Sequence, residues 1–340
     1  MLIPSSRLPI ALAAGLVALA ALAAASLALG SFPVTPRELA SVLWAAISGG
    51  ASGVGDNTRA IVLEVRGPRI LAALAVGAAL GASGAAFQNV FRNPLVSPDI
   101  LGVSSGCALG AVVGILAGLP AAAMQGLAFT GGLAAAGLVL AVGSLVRGHD
   151  RVLTLVLTGV VVGSLFSAGV AFAKAIADPY NQLPSITYWL LGSFGGVLPR
   201  DMVAAGPLML LAILPLALLR WRVNALALPD DEARALGVDA ARTRLVVIAA
   251  ATLATSAAVA VAGVIGWVGL VVPHAARLLA GPSFARVLPL SALLGAAFLV
   301  AVDTLCRTLV AGELPPGVVT AIVGTPAFIA LLAASSRRAS

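Results

Sequence analysis

The sequence predicts an all-α, polytopic membrane fold of about ten transmembrane helices. Of its 340 residues, 60% are Ala, Val, Ile, Leu, Met, Phe, Trp, Tyr or Cys. Only 10% are charged, against about 25% in an average soluble domain, too few to cover a globular surface. The apolar residues also fall in runs that suit spans of ~20 residues, divided by short loops. Disorder is excluded, because its signature is low hydrophobicity. Aromatic residues are 5% of the chain, which argues against the aromatic girdles of a membrane β-barrel.

The first run, 8–29, follows Arg7 and contains Ala23, Ala24 and Ala25, so it imitates a signal peptide. It is longer than the usual apolar core of about 7–15 residues and is read as a retained span. The second and third runs are 70–87 and 100–119. In the third, Gly102, Gly106, Gly110, Gly114 and Gly118 recur every four residues. Gly77 and Gly81 repeat that spacing, as do Gly159 and Gly163. Glycines at i, i+4 let helix backbones approach closely where lipid supplies no hydrophobic drive, so they are read as packing. Runs 121–146, 152–173, 202–219 and 245–262 follow, then a short one at 264–279 interrupted by Pro273, and finally 287–309 and 315–334. The stretch 178–199 is too polar to span. Its Tyr188, Trp189 and Phe194 suit a helix at the membrane interface. No stretch resembles a separate soluble domain, so 1–340 is read as one transmembrane domain, with 221–244 as its longest polar loop.

Charge gives an orientation. With the N-terminus placed in the cytoplasm, thirteen of the 20 basic residues fall inside, with six of the 13 acids, so the whole net charge of +7 lies there. That obeys the positive-inside rule and puts both termini in the cytoplasm. The excess of basic residues is thereby explained without nucleic acid, since no basic stripe meets an aromatic platform.

Catalytic signatures are weak or missing. Gly102-Val103-Ser104-Ser105-Gly106 matches the nucleophile elbow, but that motif needs a strand–turn–helix setting and here a helix begins. The two histidines, His149 and His274, fall in expected cytoplasmic loops. A phosphate-binding loop needs a lysine, and the single lysine, Lys174, stands between Ala173 and Ala175. Cys107 and Cys306, without a second pair or a histidine cluster, make neither a disulfide scaffold nor a zinc site. No catalytic residue, bound cofactor or metal site is expected.

Ionisable residues within spans are functional candidates, and few occur. Asp303 and Arg307 sit four apart, on one helix face, where they can simply pair. A carrier of bare ions would need buried carboxylates, His or Cys; their scarcity favours a large cargo. In the polar loop, Pro229 precedes three acids, Asp230, Asp231 and Glu232, then Arg234 and Gly237, the pattern of a short capped helix. Ala233, Leu236 and Val238 are expected to form one apolar side. Two readings stand from the residues alone: a helix docking in a partner's groove, or a solvated connector.

Several stretches then resemble one family. They are 63–106 (LEVRGPRILAALAVGAALGASGAAFQNVFRNPLVSPDILGVSSG), 188–194 (YWLLGSF), 232–237, 269–274 (GLVVPH) and 313–317 (ELPPG). In order, and over nearly the whole chain, they are similar to the permease subunits of the type II ABC importers for iron chelates, haem and cobalamin. The resemblance implies a ten-helix permease with pseudo-two-fold related halves, dimerised with an identical or paralogous second permease chain around a central pathway. It implies two cytoplasmic ATPase subunits, which carry the ATP and Mg, and a periplasmic substrate-binding protein. It makes Asp231, Glu232, Ala233, Arg234, Leu236 and Gly237 the element coupled to the ATPase. It matches Arg66, Arg69 and Arg307 to outward arginines that meet acidic residues of the binding protein, a role suited to bidentate guanidinium contacts. Anchoring at the headgroups is the plainer reading of Arg66 and Arg69. A cobalamin-carrying member has small hydroxyl residues at the cytoplasmic gate; Val152 and Leu153 stand there in this sequence. The expected function is import of a bulky metal chelate across a bacterial inner membrane. The rival class, a secondary transporter driven by an ion gradient, calls for the buried carboxylates that are scarce here.

Overall fold

The computed structural model describes residues 3–30, 32–50, 53–145, 151–309 and 312–339, and among these there are helices and no strand. α1 (Leu8–Ala28) is followed by α2 (Pro36–Ser48) and α3 (Asp56–Ala60). α3 runs through a π-helical stretch, Ile61–Arg66, into α4 (Gly67–Val90). A 3-10 turn, Pro98–Leu101, leads to α5 (Val103–Leu116), α6 (Ala121–Leu145) and α7 (Arg151–Ile176). Then come α8 (Gln182–Leu190), α9 (Pro199–Leu218), α10 (Arg220–Ala225) and α11 (Asp230–Ala235). The chain closes with α12 (Ala240–Ala262), α13 (Val268–Ala280), α14 (Phe284–Thr308) and α15 (Pro316–Ala339).

Each apolar run forms a helix, but not all are equally long. Seven stretches are long and apolar enough to cross a membrane: α1, 56–90, α6, Val152–Ile176, α9, α12 and α14. The run at 315–334 falls in α15, whereas those at 100–119 and 264–279 give shorter apolar helices, Val103–Leu116 and Val268–Ala280. Their shortening has local causes. Gly102, at φ 70°, caps α5 from the left-handed region, where a Cβ is disfavoured. Residues 263–267 stay non-helical, and Trp267 itself takes φ 72°.

α4 is the axis of the bundle. It is buried over most of its length, packed by α14, α12, α13 and α9. Glycines set that closeness. A Cβ placed on Gly77, Gly81 or Gly84 would lie 2.3, 2.3 and 2.0 Å from the carbonyl oxygens of Gly295, Ser291 and Gly269. In α5, Gly106 and Gly110 do the same against Gly131 and Leu127 of α6. The packing reading holds at these positions. The five-glycine repeat is nonetheless not one helix face: Gly102 starts α5 and Gly118, at φ 64°, lies beyond its end.

The π-helical stretch has its cause in Pro68. A proline has no N–H to donate, and its ring crowds the carbonyl four residues earlier. The backbone widens there, and the Gly67 N–H reaches Val62 O, five residues back. α2, absent from the apolar-run reading, carries its own signal in Thr35-Pro36-Arg37-Glu38. The Thr35 Oγ1 accepts from the Glu38 N–H at 3.3 Å, and Glu38 Oε2 accepts from the Thr35 N–H at 2.8 Å. This is a capping box. Trp44 and Ile47 on α2 are exposed, as suits a helix lying at a membrane surface. α8 is the helix within 178–199, with Tyr188 half-exposed on it and Phe194 buried beyond its end.

Backbone contact at glycine predicts a sharp asymmetry. Gly84→Ala drives a methyl into Gly269 and is expected to destabilise by about 1–3 kcal/mol. Gly126→Ala, where a Cβ meets nothing within 4 Å, is expected to be neutral or better. Thermal unfolding of the two purified variants in detergent checks this; equal midpoints would refute the packing account.

Candidate functional site

At one end of the bundle, Asp303 on α14 is fully buried and sits between two arginines. Its Oδ1 accepts from Arg69 Nε at 2.7 Å and its Oδ2 from Arg307 Nε at 3.1 Å. Arg69 also donates from Nη1 to Glu313 Oε1 at 2.7 Å. The remaining donors of Arg307 reach the end of α1: Nη1 to Leu29 O at 3.0 Å, and Nη2 to Ser26 O at 3.1 Å and Ser26 Oγ at 2.7 Å. Arg66 donates to Leu27 O at 2.7 Å, to Ala28 O at 3.1 Å and to Phe32 O. The last four carbonyls of a helix have no partner within it, and cations there also meet the negative end of the helix dipole. Two arginines therefore cap α1 and tie it into the fold.

Arg66, Arg69 and Arg307 thus come together, but not as a free outward face. They are 5%, 4% and 8% exposed, and each is engaged by internal acceptors. The expected Asp303–Arg307 pair is present, with Arg69 as a second partner. Glu313 is the half-exposed member of the network. Arg37, Arg59 and Arg200, on adjoining segments, are exposed.

At the opposite end, α11 is the short capped helix expected in 221–244. Its C-terminus is a Schellman motif: Val238 N–H bonds Ala233 O at 3.0 Å and Gly237 N–H bonds Arg234 O at 2.9 Å, with Gly237 at φ 77°. This reversal corrects the expectation of one apolar side. Val238 folds back on Ala233, both buried, while Leu236 turns outward and is 52% exposed. Asp231, Glu232 and Arg234 are also exposed, with Arg234 bonded to Asp231 at 3.0 Å.

Asp230 fastens α11 to the bundle. Its Oδ1 accepts from Arg244 Nη2 at 3.0 Å and from Arg92 Nη2 at 3.1 Å. The Arg244 hydrogen bond above all, and the charges of Arg244 and Arg92, hold its carboxyl below the ordinary carboxylate range against the opposing effect of burial. Arg92 follows α4 directly, at φ 50°, and also donates to Leu226 O at 2.8 Å and to Leu228 O. Arg244 belongs to α12. Asp230 therefore ties α11 to the end of α4 and to α12.

Val152 and Leu153 open α7; Val152 packs partly against the main core and Leu153 is half-exposed. The neighbouring hydroxyl residue, Thr154, is buried. Ser104 lies on α5 and its Oγ donates to Asp99 Oδ1, away from the setting of a nucleophile elbow. His274 packs against Phe328, and His149 falls outside the described residues. Cys107 and Cys306 are both buried free thiols. Sequence reasoning assigned no role to Arg92, Arg244, Ser26 or Glu313. Arg92 stands at a helix end before Asn93-Pro94, a breaker signal, and Glu313 lies in the ELPPG stretch; neither local pattern names its distant partner.

Residues 17–334 match the model of the FecCD transport family. The chain belongs to that family. It is 37% identical over 283 residues, 82% of this chain and 75% of the relative, to the cobalamin import system permease protein BtuC of Halobacterium salinarum. It is 36% identical over 303 residues, 89% of each chain, to the molybdate import system permease protein MolB of Haemophilus influenzae. Among solved structures, it superposes with TM-score 0.86 and 34% identity on an inward-facing chain described as a metal-chelate type ABC transporter, covering 95% of this chain and 99% of that one. This FecCD family member is thus a multi-pass membrane permease, and its relatives are transport permeases rather than enzymes.

The buried arginine network of this permease predicts non-additive mutations. Arg69→Met leaves Glu313 without its partner and Asp303 with Arg307 alone, and is expected to cost about 3 kcal/mol. Adding Asp303→Asn to Arg69→Met is expected to recover part of that loss. Chemical denaturation of the single and double variants measures the coupling; strict additivity would show that the cluster does not act as a unit.

Proposed function

We propose that this chain is the transmembrane subunit of an ATP-driven importer of a bulky metal chelate in a bacterial inner membrane. The observation that carries the reading is α11: a surface helix, bolted to α4 and α12 through Asp230, that offers Leu236 and a charged face to a partner. In this reading all of 1–340 is a single permease domain. The α11 end and both termini are cytoplasmic, consistent with the bias of basic residues. Asp231, Glu232, Ala233, Arg234, Leu236 and Gly237 form the coupling element against an ATPase dimer, which holds ATP and Mg. Ala233 and Gly237 shape it, while Leu236, Asp231, Glu232 and Arg234 make the contact. Two permease chains enclose the pathway, with Val152 and Leu153 at its cytoplasmic gate and the helices counted as about ten spans per chain.

A periplasmic binding protein docks on the end that holds Arg66, Arg69 and Arg307. Their burial supports a role in fixing the segments that form the docking face, with Arg37, Arg59 and Arg200 beside them as free guanidinium groups for acidic lobes. The relatives named above carry different cargo, cobalamin in one case and molybdate in another. A chelate is favoured here by the metal-chelate type of the solved neighbour.

Two measurements test this reading. Leu236→Asp puts an unpaired charge where an apolar groove is expected, a costly burial. The variant is expected to insert normally but to lose copurification with the ATPase, and wild-type copurification would sink the assignment of α11. Arg59→Glu and Arg200→Glu are expected to slow association of the binding protein and to weaken its salt dependence. Stopped-flow rates at two ionic strengths in nanodiscs decide; unchanged rates would remove the docking face from this end.

A further inference from the structure

A cleft opens between α6 and α12 at the α11 end of the bundle. Its mouth is a cavity of about 500 Å³ lined by Gly143, Leu155, Asp239, Arg242 and Arg244 among others. A second cavity of about 490 Å³ continues it along α6 and α12 toward α9, lined by Leu133, Gly137, Leu140, Pro215, Val246 and Leu253. Leu140 lines both. The mouth holds charged side chains among apolar ones, and the extension is almost wholly apolar. Gly137 leaves the extension open, since a Cβ there would meet nothing within 4 Å. From Arg244 to Leu253 the groove follows α12 for about 14 Å, at 1.5 Å rise per residue.

The mouth has unused positive charge. The Arg244 side chain is 6% exposed; Nη2 is bonded to Asp230, but Nε is buried without an acceptor. Arg242 is exposed, and no carboxylate among the described residues pairs with its guanidinium. Two acids stand nearby, and both are engaged. Asp239 accepts the Arg242 backbone N–H at 3.0 Å as the cap of α12, and Asp230 is shared by Arg92 and Arg244. Three arginines against two aspartates leave a positive mouth, and the N-terminus of α12 adds to it.

We propose that this cleft binds one anionic phospholipid of the leaflet at the α11 end. Its phosphate lies against Arg242 and the Nε–H of Arg244, and an acyl chain lies in the groove between α6 and α12. Basic pockets between membrane helices on that side are suited to anionic headgroups. An apolar groove leading inward from the phosphate position selects a lipid over a free anion. Because Arg244 also holds Asp230, an occupant of the cleft steadies the root of α11.

The test is native mass spectrometry and thermal unfolding of the complete transporter complex, delipidated and then titrated with phosphatidylglycerol, phosphatidylcholine or inorganic phosphate. Phosphatidylglycerol is expected to form a single retained adduct and to raise the unfolding midpoint, with weaker retention of phosphatidylcholine. Arg242→Gln, at an exposed position, is expected to weaken phosphatidylglycerol binding about fivefold. Gly137→Leu, which fills the groove and leaves the arginines in place, is expected to abolish the adduct. Equal retention of both lipids would overturn the proposal. So would a midpoint shift reproduced by phosphate alone, or wild-type phosphatidylglycerol binding by both variants.

Discussion

Backbone-to-backbone contact around α4 is the constraint on which the rest depends. Lipid is as apolar as the side chains it would replace, so helices in a membrane associate through close packing rather than through escape from water. Gly77, Gly81 and Gly84 bring α4 against α14 and α13 with no side chain between. That contact aligns the two helices whose ends carry Arg69 and Asp303. At its other end, α4 delivers Arg92 to Asp230. One rigid axis thus positions both charged clusters.

The two clusters use the same chemistry for different purposes. Around Asp303, arginines hold a buried carboxylate and the carbonyls at the end of α1, so the charge is consumed in joining segments far apart in sequence. Breaking such a buried pair costs more than forming it gains, which makes the network a good registry device for the helices it joins. Around Asp230, the same pairing is half-exposed and holds a short helix whose remaining face is open. One cluster is closed within the fold and the other leaves part of α11 exposed.

The helical membrane fold was legible because composition and run length are local properties. So was the short helix at 230–235, whose proline, acids and glycine are in sequence order. The legibility failed where geometry is set at a distance. The apolar side drawn through Ala233, Leu236 and Val238 followed helical spacing, and the left-handed Gly237 reversed the chain within that interval. The arginines at 66, 69 and 307 lie at one end of the bundle, but their burial depends on partners far off in sequence that no spacing rule supplies: carbonyls of 26–32 for Arg66 and Arg307, and Asp303 and Glu313 for Arg69. The shorter helices at 103–116 and 268–280 depend on how a non-helical segment is accommodated between neighbours, which an apolar run does not record.

By itself the sequence determined the fold class, the order of the apolar helices, the bias of positive charge and, through its ordered stretches, membership of a permease family. These follow from hydrophobicity, periodicity and residue identity, all readable along one chain. Only the tertiary structure decided which charges are spent internally and which stay exposed, because a guanidinium between two carboxylates and one in water are written with the same letter. It also decided that α6 and α12 part enough to leave an apolar groove beneath Arg242 and Arg244, since a cleft is a property of the distance between helices and not of either helix.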